Sequence, residues 1–238
     1  MDRIPLLVTN NGNTKIKKSA AGTEYRIASL SLAPDDLICP KRKTADCVLD
    51  CLFKAGRGKM TPVQKSRRRK TKLWHQDREL FLQILMDELS AWTRRCKGSG
   101  KIPAARLNTI SDIAWEDYGI PQLFQNLGLV MYDYTKRVDR LGRTPDNYSL
   151  MFSYSGAPAY QKDVARALET EFPISVVFRG GLPSEFLGRE VIDGDQSDLF
   201  NLKAKNKIVG LKLKGGKEIQ SSRSAFIVDN PELMGVAA

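Results

Sequence analysis

Carboxylates recur in this sequence just after short apolar runs. Asp112 follows residues 106–111, Asp133 follows 129–132 and Asp193 follows 190–192. Two carboxyl groups held in one pocket can divide labour, one ionised as nucleophile or base and the other protonated as acid. Asp112, Asp133 and Asp193 are therefore the candidate catalytic residues. Groups suited to hold a substrate lie around them. Asn108, Trp115 and Glu116 flank Asp112, and a carboxylate beside an indole can read a base by accepting from ring N–H groups while the indole stacks. Asp112 can equally cap a following helix. Tyr132 and Lys136 flank Asp133, and along a strand Tyr132 and Tyr134 share one face while Asp133 takes the other. Ser153 and Ser155 follow residues 148–152. Arg179 follows 174–178 and precedes Gly180 and Gly181, a combination suited to phosphate or carboxylate. Asp195 joins Asp193 and Asp198 in an acidic loop that can bind a cation, supply a second acid or simply cap its own backbone.

A second constellation is made of thiols and cations. Seven residues separate Cys39 from Cys47, and three separate Cys47 from Cys51. Three thiolates this close can bind zinc or an iron–sulfur cluster, with Cys96 or His75 as a fourth ligand; alternatively Cys47 and Cys51, one helical turn apart, only pack. His75 is the single histidine, which excludes any mechanism that needs two. Lys65, Arg67, Arg68, Arg69, Lys70 and Lys72 form a basic run with no interleaved aromatic, which suits phosphate contact rather than base stacking. Trp74 and His75 follow at once and are placed to stack on a base. The net charge of +11 favours a polyanionic partner, nucleic acid or a nucleotide-like substrate above all, although a basic solvated surface would carry the same charge.

The elements that must position these groups read as one α/β domain over residues 1–238. Short strands alternate with helical stretches from 102 onward, which predicts a parallel sheet, here expected as a TIM-barrel-like, possibly incomplete barrel with active-site groups at the strands' carboxyl ends. A strand is expected over 25–32 and a turn at 10–13. Residues 34–101 form a cysteine-bearing basic N-terminal insertion: a loop, the basic run, and a helix over 76–96 whose apolar residues recur every three or four positions. Shorter helices are expected over 121–127 and 159–171, one helical turn over 183–187, and strands over 207–213 and 225–228. No apolar run is long enough to span a bilayer and no secretory leader is visible, so a cytoplasmic protein without a membrane partner is expected.

The set Gly12-Asn13-Thr14-Lys15, Cys39-Pro40 with Cys47 and Cys51, Arg106-Leu107-Asn108 with Ser111-Asp112 and Trp115-Glu116, Tyr132-Asp133-Tyr134-Thr135-Lys136, and Asp193-Gly194-Asp195 with Ser197-Asp198 resembles a group of phage-encoded proteins. That resemblance implies a phage or prophage gene expressed in a host cell. At greater distance the chain is similar to barrel enzymes that exchange bases, the tRNA-guanine transglycosylases and the phage DNA transglycosylases that insert 7-deazaguanines. Those use two strand-end aspartates, one attacking the sugar C1′ and one moving the proton. The usual zinc motif of the tRNA enzymes and their Asp-Ser-Gly-Gly-Phe type signature are absent here. Three functions follow as expectations: a DNA guanine transglycosylase acting on a small-molecule base, an iron–sulfur enzyme of radical type using Cys39, Cys47 and Cys51, and a nucleic-acid-binding protein without catalysis.

Overall fold

The computed structural model describes residues 4–9, 16, 19–48, 50–51, 56–199, 204–214, 216–230 and 232. The expected turn at 10–13 and the Gly12–Lys15 motif lie outside the described residues. Five strands follow one another both in the chain and in space: β2 (Tyr25–Leu30), β3 (Ile102–Arg106), β4 (Val130–Thr135), β5 (Tyr148–Ser153) and β6 (Ile174–Arg179), all parallel. β1 (Leu7–Thr9) adds antiparallel to β2. Beyond β6 the order continues to β9 (Ile208–Lys212), β8 (Arg189–Asp193) and β7 (Glu185–Phe186). The fold is thus mixed α/β with a ten-stranded, mostly parallel sheet. Its described pairings trace a path with two ends, β1 and β7.

Residues 183–187 do not make the expected helical turn. β7 and β8 form a hairpin closed by Leu187 (φ 53°) and Gly188 (φ 72°), the two successive left-handed residues that a type I′ turn requires. Another departure is at β6. β5 pairs with its first two residues, Ile174 and Ser175. β10 (Ile227–Asp229) then takes the same edge at Val177–Arg179, because β9 already holds the other edge. The sheet forks there, and Gly156 N–H donates to the Ala225 carbonyl at 2.7 Å across the fork.

Parallel neighbours in chain order need crossovers of one hand, which puts their helices on one face. Two long helices, α1 (Thr61–Gln76) and α2 (Arg78–Lys97), cover β2–β5. Phe81, Leu85, Leu89 and Trp92 of α2 pack with Leu30, Ala105, Met131 and Leu150 in the main core. The expected single helix over 76–96 begins later. Asp77 breaks the run, and its side chain accepts from Leu80 N–H at 3.0 Å as the cap of α2. α3 (Ile120–Gln125) and α4 (Gln161–Leu168) complete the layer, and Val164 and Ala167 of α4 pack with Phe152, Ile174 and Val176. A four-residue helix, α5 (Lys217–Gln220), precedes β10. The opposite face carries a smaller apolar cluster of Ile16, Ile27, Ala104 and Tyr132. No helix among the described residues is long and apolar enough to cross a membrane.

Candidate functional site

The ends of β3 and β4 fall elsewhere than the sequence pattern set them, and this changes which side chains meet. β3 ends at Arg106, so 107–111 is not strand but a loop. That loop is fastened by Asn108. Its carboxamide oxygen accepts from Ser111 Oγ (2.9 Å) and Ile113 N–H (3.0 Å), and its Nδ2 donates to the Ile113 carbonyl (2.9 Å). The fastened loop turns Asp112 back over β4. There Asp112 accepts from Thr135 Oγ1 (2.7 Å), the Lys136 N–H (2.8 Å) and Arg140 Nη1 (2.8 Å). Arg140 sits in a 3-10 turn after β4 and is wholly buried. Its Nε and Nη2 also grip the two oxygens of Glu116 at 2.7 and 2.8 Å, and Nη2 reaches Tyr148 Oη at 3.1 Å. Tyr148 donates in turn to Asp133 (2.8 Å), whose other oxygen takes the Asn108 N–H (2.7 Å).

Asp112 and Asp133 therefore do converge, through Arg140 and Tyr148. They converge inside the helix-facing core rather than on an open rim. Asp133 lies within β4, not at its end, and is fully buried. Burial pushes its carboxyl up to about 7, against the opposing pull of Arg106, the Asn108 N–H and the Tyr148 hydroxyl. Every carboxylate oxygen of Asp112, Glu116 and Asp133 holds a donor, as buried charges must. Trp115 is also taken up by this core, edge-on to Trp74 at 5.6 Å.

Asp193 is elsewhere. It closes β8, four strand steps from β4, or roughly 19 Å along a sheet. It accepts the Asp195 N–H at 2.9 Å and faces Lys212 Nζ at 3.5 Å, which holds its carboxyl below the usual range. Asp195 pairs with Lys214 at 2.6 Å. Ser155 accepts the Ala157 N–H at 3.2 Å, and Arg179 pairs with Asp229 at 2.7 Å. Lys136 donates to Ser153 Oγ at 3.0 Å and lies 4.2 Å from the Phe226 ring at the fork. Burial lowers the pKa of Lys136, against the raising charges of Cys47, Asp112, Cys39 and Cys51.

Cys39, Cys47 and Cys51 are half-buried free thiols. Cys39 donates to the Ile110 carbonyl at 3.5 Å and Cys47 to the Arg42 carbonyl at 3.6 Å, and burial raises both thiols. Cys96 does not join them: it is buried in the main core on α2. Among the described residues no group of three or more His, Cys, Asp or Glu side chains is placed to hold a metal ion. His75 is exposed and its Nε2 meets Asp35 at 2.7 Å, whereas Trp74 is buried, so the indole is not presented for stacking.

The basic run is helical, part of α1. α1 sorts its cations by face. Arg67, Lys70, Thr71 and Trp74 fall on the inward side, and Lys70 Nζ donates to the Leu6 carbonyl at 2.6 Å. Burial lowers that amine to about 8, with Glu88 opposing. Lys65, Arg68, Arg69 and Lys72, at spacings of three, four and seven, are all exposed. None of these four makes an ion pair among the described residues.

A polar group that the sequence pattern missed lies on the other face of β3 and β4. Arg106 Nη1 pairs with Asp198 at 2.8 Å, and its guanidinium lies 4.4 Å from the Tyr134 ring centroid. The Asp198 N–H donates to Ser19 Oγ at 2.8 Å. The signal that could have found it is the position of Arg106 at the end of an apolar run rather than at the start of one.

No curated protein and no solved structure matches this chain. Residues 6–230 match the family described as Gene product 88, and that description names no activity. The chain belongs to this phage-type Gene product 88 family.

Proposed function

We propose that the protein binds nucleic acid, with duplex DNA as the first candidate, through the outward face of α1. The observation that carries this reading is the stripe of Lys65, Arg68, Arg69 and Lys72. It comprises four exposed cations on one helix face, in a helix with no acidic residue in its sequence and none in its first turn. Such a stripe matches a phosphate backbone in sign, and unpaired cations release counterions on binding without first breaking internal ion pairs. The experiment is DNA binding against salt for the wild type and for the variant carrying Lys65→Gln, Arg68→Gln, Arg69→Gln and Lys72→Gln. Four phosphate contacts give a slope of roughly −3.6 in log K against log salt. The variant should lose most of that slope, and an unchanged slope would remove the reading.

A second reading is base modification of the bound strand, with the base-exchange chemistry of a transglycosylase. It draws on five consecutive parallel strands with their helices on one face, the arrangement of a barrel wall whose other face would be the interior. On this reading Asp112 and Asp133 hold the loop and strand in register, since their oxygens are already engaged. Asp198 and Arg106, on the inner face, are the better-placed acid and partner. Mass spectrometry of nucleosides from DNA of expressing cells tests it. A modified base that disappears with Asp198→Asn supports the reading, and unmodified DNA from cells expressing the wild type and supplied with base precursors counts against it.

A further inference from the structure

Among the described residues, two buried hydrogen-bonding groups on the sheet face opposite the helices have no hydrogen-bond partner. Tyr132 is completely buried, and its hydroxyl makes no hydrogen bond. Arg106 is 8% exposed, and its Nε–H is likewise unmet, although its Nη1 is engaged by Asp198. Leaving such groups empty costs stability, so an unmet pair on one face calls for an explanation. The two residues belong to adjacent strands, and their side chains share a face. Arg106 stands opposite Ser29 in β2, and Tyr132 opposite Ser149 in β5. This makes a polar row across four strands. Ser149 and Tyr134 are only half-buried, so the row lies just beneath the surface.

We propose that Arg106 and Tyr132 form a binding site for a neutral, planar, carbonyl-bearing ligand the size of a nucleobase. The charge of the site selects against an anion. Arg106 is already neutralised by Asp198, and a second negative charge would be buried without compensation. The missing partner of an Nε–H is an acceptor such as a carbonyl oxygen, and the phenol can give to or take from a ring nitrogen. The guanidinium lying over Tyr134 supplies a flat wall. The ligand's identity rests on the nucleic-acid reading above, while the site itself rests on the two unmet groups.

The test is calorimetric titration of the full chain with the free bases hypoxanthine, cytosine, thymine and adenine. Saturable binding is expected for at least one of the three carbonyl-bearing bases, and binding at least tenfold weaker for adenine, which has no carbonyl. Tyr132→Phe and Arg106→Lys should each weaken the binding tenfold or more. Phenylalanine removes a hydroxyl that no described group uses, so that variant keeps or raises its thermal midpoint, and its loss of binding reads the site and not the fold. The four-glutamine variant of α1 should bind the bases like the wild type, which separates this site from the DNA-binding surface. Absence of binding by all four bases, or equal binding by wild type and Tyr132→Phe, overturns the proposal even if DNA binding through α1 stands.

Discussion

The two faces of β3 and β4 each bury an arginine against carboxylate, and they differ in how completely the hydrogen bonds are closed. On the helix side Arg140 meets Asp112, Glu116 and Tyr148, and no carboxylate oxygen is left over. On the other side Arg106 meets the Asp198 carboxylate and the Tyr134 ring, and among the described residues its Nε–H and the Tyr132 hydroxyl find no hydrogen-bond partner. A closed network of this kind fixes loops, because removing any member strands the others in a low dielectric. An open one keeps hydrogen-bonding capacity that something outside the protein can use. The same division runs through α1, where Lys70 is spent on the Leu6 carbonyl while Lys65, Arg68, Arg69 and Lys72 are not. Completeness of hydrogen bonding, rather than the presence of charged residues, separates groups that build this fold from groups available for function.

The sharpest test of that contrast removes Arg140. Arg140→Ala leaves Asp112 and Glu116 buried without their cation, and a loss of about 3–5 kcal/mol in urea unfolding is expected. A loss under 1 kcal/mol would mean that the helix-side network is not closed in solution. Next come the two tyrosines. Tyr148→Phe takes a donor from Asp133 and should cost about 1–3 kcal/mol, whereas Tyr132→Phe should cost essentially nothing. Equal costs would erase the distinction between the faces.

Asp133 adds a pH signature. Its folded pKa, about 7, lies above its ordinary value of 3.8, so between those values the folded state holds a proton that the unfolded chain has released. This contribution is fully present below about pH 4, is lost as pH rises toward 7, and is flat beyond. Chemical denaturation at pH 5 and pH 7.5 should show stability falling with pH by roughly 2–3 kcal/mol from this group. Asp133→Asn should flatten that fall, and an undiminished fall in the variant would show that the proton sits elsewhere. A small effect on stability is expected for the α1 stripe. The four-glutamine variant should unfold within about 0.5 kcal/mol per site of the wild type, as ordinary surface positions do, while losing its DNA affinity. A large destabilisation would show that those cations, too, serve the fold.

Much of the sheet was legible. The runs that became β5 and β6 begin where the sequence pattern set them and close on Ser153 and Arg179, since short apolar stretches with abrupt polar ends leave little freedom in boundary. The helical period of Leu80, Ile84, Leu85, Leu89 and Trp92 marked α2 in the same way. α1 was hidden because its inward face uses Lys70 and Thr71, which an apolar-period search counts as surface. The end of β3 was displaced because residues 107–111 are apolar enough to extend a strand, yet Asn108 satisfies its neighbours locally and turns the chain. Arg140 was overlooked for a different reason. Its carboxylate partners lie 24 and 28 residues away, and nothing in its own segment marks it.

The sequence alone settled the class of the fold, the excess of positive charge and the recurrence of carboxylates after short apolar runs, because these depend on composition and short-range periodicity. Tertiary structure decided which carboxylates are already engaged, which cations face water, and that Asp193 is remote from Asp112 and Asp133. Those outcomes depend on which distant residues share a dielectric environment and a donor, and spacing along the chain does not encode that.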